Sequence, residues 1–144
     1  MKSLALRLPA ATVHDLYDIR EFLEKAVMQL GGNEDLAGDL VLSVNEAVTN
    51  VLLHGYSDQP GLIELSVEAN GSDLTIRLSD GGPLFDPTTA PTPDLRLPLD
   101  QRPLGGLGVH MMRQLTDELA YSVTGDQRNE LKFIRRNVLG KPTR

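Results

Sequence analysis

The chain has 144 residues, 40% of them hydrophobic and 24% charged, and its 14 Lys and Arg against 20 Asp and Glu give a formal charge of −6. A chain of this length is expected to form one domain, residues 1 to 144, that buries about 70% of the surface exposed by its unfolded form. The composition excludes wholesale disorder, the acidic balance argues against a nucleic-acid surface, and the absence of cysteine removes disulfides, thiolate nucleophiles and cysteine-ligated metals.

Leu4, Leu6 and Leu8 alternate with other residues, which predicts a strand over residues 2 to 8 ended by Pro9. This alternation is unlike the apolar core of a signal peptide. No stretch of about eighteen uninterrupted apolar residues follows it, so a cytoplasmic protein without membrane contact is expected. Thr12 offers a helix start, and Leu16, Ile19, Leu23, Ala26, Val27 and Leu30 form one stripe that stops at Gly31-Gly32. Asn33 can cap a second helix with an inward stripe from Leu36 to Val51, closed by Gly55.

Ile63, Leu65 and Val67 alternate with polar residues, Asn70-Gly71 signals a hairpin, and Leu74, Ile76 and Leu78 continue the alternation to Asp80. Six prolines then punctuate residues 81 to 103, so this stretch is read as a long loop. Gly105, Gly106 and Gly108 lead into a helix through Val109, Met112 and Leu115. Two strands, near 118 to 124 and 130 to 137, are joined around Gly125 and Asn129. The order βααββ, loop, αββ predicts an α+β two-layer sandwich: a mostly antiparallel mixed sheet covered on one face by three helices. The basic residues Lys132, Arg135, Arg136, Lys141 and Arg144 read as a solvated end. His14, His54 and His110 lack metal-ligand spacing.

Glu46 and Asn50 lie one turn apart on the second helix and share a face. That spacing also occurs on ordinary solvated faces. Here, however, Thr49 and Asn50 break the propensity of an apolar segment. The pair suits a magnesium–phosphate site, with an amide oxygen for a hard cation and a carboxylate for a nucleophile's proton. Asp80 followed by Gly81 and Gly82 is an ordinary turn signal. A strand-end carboxylate can instead accept from an exocyclic amine, beside a glycine that lets a base approach, which taken alone is the weaker reading. The glycine cluster at 105 to 108 opens a helix, where free N–H groups favour phosphate oxygens, yet it matches neither the Walker A nor the dinucleotide fingerprint.

In combination, EAVTNVLLHGY (46 to 56), DGGPLFDP (80 to 87) and GGLGVHMM (105 to 112) resemble the N, G1 and G2 boxes of the Bergerat-fold ATPases, which include gyrase and the histidine kinases. The E-A-V-T-N-x-x-x-H-G-Y string and the F-D-P after the G1 glycines resemble the anti-sigma factor serine/threonine kinases of bacterial partner-switching systems. The resemblance spans roughly residues 10 to 136. It implies Glu46 as general base, Asn50 as Mg²⁺ ligand, Asp80 as the adenine-amine acceptor and Gly82 as the floor of the base pocket. It further implies a lid over about 86 to 104, with Gly105, Gly106 and Gly108 as phosphate-binding amides.

The resemblance implies ATP and Mg²⁺ as cofactors, a small STAS-domain anti-anti-sigma protein as phosphate acceptor, a sigma factor as second partner, and a homodimer. A non-catalytic, nucleotide-gated binding module is the alternative. Three departures stand out. The G1 segment continues Gly82-Pro83-Leu84 rather than with another glycine. The terminal G-T pair of many relatives is replaced by Arg128-Asn129-Glu130-Leu131. Leu104 precedes the glycine cluster where some relatives have arginine, leaving Arg96 or Arg102 as substitutes.

Overall fold

The computed structural model describes residues 2–89, 96 and 106–140. Its strands are β1 (Lys2–Ala11), β2 (Gly61–Asn70), β3 (Asp73–Asp80), β4 (Glu118–Val123) and β5 (Asn129–Arg135); its helices are α1 (Leu16–Gln29), α2 (Glu34–Asn50) and α3 (Gly106–Gln114). They form the expected α+β sandwich. The sheet order is β1-β2-β3-β5-β4, and every strand pairing among the described residues is antiparallel rather than mixed. Two hairpins, the return of β5 to β3 and the α1–α2 connection from β1 to β2 supply the neighbours, so no parallel crossover is needed.

Alternation along the strands decides which face is buried. Ile63, Leu65 and Val67 of β2, Leu74, Ile76 and Leu78 of β3, and Leu131 and Phe133 of β5 join one core with Ile19, Leu23 and Val27 of α1 and Leu40, Val44 and Val48 of α2. The other face is polar. There Arg77 pairs with Glu68 at 3.2 Å and Glu130 at 2.9 Å, while Glu64 lies 2.7 Å from Arg128 and 3.3 Å from Arg7. Residues 34–55 are apolar enough in composition to cross a bilayer, but their inward stripe packs into this core.

Three local features depart from the sequence reading. β1 runs past Pro9 to Ala11, with an irregular register after Leu8. It is an edge strand, so the missing proline N–H is tolerated there. Thr12 caps a short 3-10 turn, Val13–Asp15, in a reciprocal capping box, and α1 begins only after it. Asn129, expected in a turn, is instead the first residue of β5 and pairs in register with Asp80 and Val123.

Other signals hold. Asn33 Oδ1 accepts from the Leu36 N–H at 2.8 Å, capping α2. Gly71, at φ 62°, turns the β2–β3 hairpin. Of the terminal basic residues, Arg135 donates to Asp39 and to the Leu115 carbonyl, and Arg136 donates to Glu118. Lys141 and Arg144 lie outside the described residues.

Candidate functional site

α2 carries the site. Beyond Asn50 the helix continues as a wider turn over Val51–Gly55, in which the Tyr56 N–H donates to the Val51 carbonyl at 2.8 Å. Such five-residue turns recur at functional sites. Glu46 and Asn50 are both partly buried rather than projecting into bulk solvent. Thr49 offsets its poor propensity by donating back to the Asn45 carbonyl at 2.8 Å.

Glu46 faces α3. A methyl group placed on Gly108 would lie 2.6 Å from Glu46 Oε1 and 2.9 Å from its Cγ, so a side chain at position 108 would force Glu46 to shift. Free backbone N–H groups and the positive end of the helix dipole sit in the first turn of α3. Gly106 begins α3; Gly105 lies outside the described residues.

The wider turn that follows α2 meets the β3 exit. Gly82 sits between Asp80 and Gly55: a Cβ there would be 3.1 Å from Asp80 Oδ1 and 3.6 Å from the Gly55 carbonyl. Asp80 is buried at 6% exposure, and burial pushes its carboxyl above the usual range despite two hydrogen bonds that oppose the shift. Those bonds come from the Gly82 N–H at 2.9 Å and Asn129 Nδ2 at 3.0 Å. Both end on Oδ1, so Oδ2 keeps its acceptor capacity.

Tyr56 ties the end of this turn to the start of β2 and to the β3 exit. Its hydroxyl donates to the Leu62 carbonyl at 2.7 Å and accepts from the Gly81 N–H at 2.6 Å, while its ring lies over Gly61, where a Cβ would come within 2.4 Å. Burial raises its pKa. Tyr56→Phe removes the hydroxyl from both partners and is expected to cost about 1 kcal/mol of unfolding free energy, read by urea denaturation with an unchanged m-value.

The segment that leads into the anticipated lid is held from two sides and by a turn of its own. The Phe85 N–H donates to Asn129 Oδ1 at 3.0 Å, Asp86 Oδ1 accepts from the Thr88 N–H at 2.8 Å, and Arg113 of α3 donates to the Thr88 carbonyl. Arg96 is exposed. Residues 90–95 and 97–105, with Arg102 and Leu104, lie outside the described residues. Among the described residues no three His, Asp or Glu side chains gather as a metal cluster. The oxygen donors of Glu46 and Asn50 fit a cation held chiefly by phosphates and water, as Mg²⁺ usually is.

Sequence reading missed Asn129, Tyr121 and Arg113. Asn129 looked like a turn residue, and its partners are distant in sequence. Tyr56 stood inside the 46-to-56 string without an assigned role.

A two-layer sandwich that sets a carboxylate-bearing helix against a glycine-opened helix, and the turn after it against a strand-end aspartate, defines the class of histidine kinase-like ATPase domains. The sequence model of that family, the histidine kinase-like ATPase domain, matches residues 9–135. Over 121 residues the chain is 30% identical to the serine/threonine-protein kinase BtrW of Bordetella bronchiseptica, covering 83% of this chain and 82% of that one. It is 29% identical to the serine-protein kinase RsbW of Staphylococcus aureus over 140 residues, 92% of this chain and 87% of the other. With an anti-sigma F factor of a Thermoanaerobacter species it shares 33% over 92 residues, 63% of each. The crystal structure of the RsbU and RsbW domains of Rv1364c from Mycobacterium tuberculosis superposes with a TM-score of 0.65 at 20% identity, covering all of this chain and 34% of that one. The chain belongs to the histidine kinase-like ATPase family, in its branch of anti-sigma factor serine/threonine kinases.

Proposed function

We propose that the protein is an ATP-dependent serine/threonine kinase of a bacterial partner-switching system, phosphorylating a small STAS-domain anti-anti-sigma protein and, in the alternative state, holding a sigma factor. The observation that carries this reading is that Glu46, in the C-terminal part of α2, packs on Gly108 while Gly55, at the end of the wider turn that follows α2, abuts Gly82 beside Asp80. The run from Glu46 to Gly55 thereby spaces a phosphate-proximal carboxylate from a base-proximal one. The names of the kinase relatives support the same activity.

In this reading Asp80 Oδ2 accepts from the adenine amine, and Gly82 lets the base lie against the backbone. Asn50 offers its amide oxygen to Mg²⁺, and Gly105, Gly106 and Gly108 present N–H groups to the phosphates. Bound MgATP supplies the phosphoryl group and the screening of its charge. Glu46 takes the proton of the acceptor hydroxyl as that oxygen bonds to the γ-phosphorus and the bond to ADP breaks. Positioning and charge neutralisation carry most of such a transfer, so one modest base is adequate. A cytoplasmic location and a homodimer complete the proposal.

The test incubates the protein with Mg²⁺, γ-labelled ATP and the STAS protein encoded beside it. Label is expected on a serine or threonine of that partner. An unlabelled partner, with ATP binding established by calorimetry, ends the kinase reading.

A further inference from the structure

Asn129 is buried at 7% exposure and its carboxamide is saturated. Nδ2 donates to Asp80 Oδ1 at 3.0 Å and to the Pro83 carbonyl at 3.0 Å, with the Gly82 carbonyl at 3.4 Å; Oδ1 accepts from the Phe85 N–H at 3.0 Å and the Tyr121 hydroxyl at 2.5 Å. An asparagine has two donor hydrogens and two acceptor lone pairs, and all four are engaged. It therefore acts on a ligand only through what it holds. Those groups are Asp80 itself and the backbone of the segment that follows it, which also contains Gly82.

We infer that Asn129 is a positioning residue that sets the base specificity of the nucleotide site: it fixes the Asp80 carboxylate so that Oδ2 acts purely as an acceptor, and it pins residues 82 to 85 as the floor against which the base lies. The inference rests on the nucleotide-site reading above. Its physical basis is the pairing of β5 with β3, which sets Asn129 directly across from Asp80. A donor at that point stabilises the ionised carboxylate and orients it. The three backbone contacts fix a segment whose Pro83 cannot supply an N–H of its own. A hydroxyl side chain is too short to reach Asp80, Pro83 and Phe85 at once, so the carboxamide is suited to this G1 sequence.

Adenosine and inosine diphosphates differ at one position, an amine against a carbonyl oxygen, and so report directly on Asp80. In calorimetric titrations with Mg²⁺ the wild type is expected to prefer ADP over IDP by at least about tenfold. In Asn129→Asp, two carboxyl groups share one site and one of them takes up a proton. Whichever carboxyl holds that proton, it can replace at most one of the two Nδ2 donations, to Asp80 Oδ1 and to the Pro83 carbonyl, so the carboxylate and the segment after it lose their fixed placement. The ADP/IDP preference is expected to fall at least fivefold. Asn129→Ser, a smaller change whose folding is followed by circular dichroism, carries the same test, with at least a threefold fall expected.

A preference unchanged in either folded variant, whatever happens to the two affinities together, would show that Asn129 only supports the fold and overturns the inference. Failure of the nucleotide reading looks different: the wild type would bind neither nucleotide, or both alike.

Discussion

Glu46→Gln is expected to lower phosphoryl transfer to the protein acceptor by about 10²- to 10⁴-fold, the usual contribution of a positioned general base. ADP and ATP affinity should stay within about threefold. The substitution preserves shape, so the close packing of Gly108 on this side chain survives, and what disappears is the ability to take a proton. Single-turnover kinetics with prebound ATP isolates that step. The same variant separates the kinase from a nucleotide-gated binding module: in the kinase, acceptor phosphorylation stops while nucleotide binding persists. If phosphorylation continues at the wild-type rate, Glu46 is not the base.

Asp80→Asn is expected to weaken ADP binding by roughly 30- to 150-fold, about 2–3 kcal/mol, because a donor now faces the adenine amine where an acceptor stood. The asparagine oxygen can still accept from Gly82 and Asn129, so the backbone around it is kept. The nucleotide-free variant should be more stable than wild type at neutral pH. Asp80 is pushed above its ordinary value of 3.8, chiefly by burial, so the folded state holds this proton to higher pH than the unfolded state does. Stability contributed at this position therefore falls as pH rises from near 4 through the raised folded value, and stays low above it. The melting-temperature gain of Asp80→Asn should be full at pH 7 to 8 and shrink as pH drops toward 4. A variant that binds ADP as tightly as wild type removes Asp80 from the base site.

A buried carboxylate that costs stability yet faces an open acceptor position is the pattern of a binding group held in a site that does not favour it. Tyr56 and Asn129 supply the restraint from two sides. Tyr56 holds Gly81 from the helix side, and Asn129 holds Asp80 from the sheet side. Without these bonds the turn after β3 would be free to swing its carboxylate toward water.

Much of this was legible in the residue order. The stripes of α1 and α2, the Asn33 cap, the Asn70-Gly71 hairpin and the strand ending at Asp80 are local signals. Each rests on a side chain and a backbone at most a few positions apart. The Pro9 ending failed because whether a proline is tolerated depends on the strand being at an edge, and the chain cannot announce that in advance. The widened turn after Asn50 also carries no local signature.

The sequence by itself determined the order of elements, the two-layer class and the three segments proposed to make the site, because periodicity, caps and turn residues act within one turn or one hairpin. Only the tertiary structure decided that Gly108 lies on Glu46, that Gly82 lies against Gly55, and that Asn129 reaches Asp80 across 49 positions. Those contacts follow from the sheet order, which places β5 beside β3, and from the packing of α3 on α2. Both are set by burial of the shared core rather than by any residue's own preference.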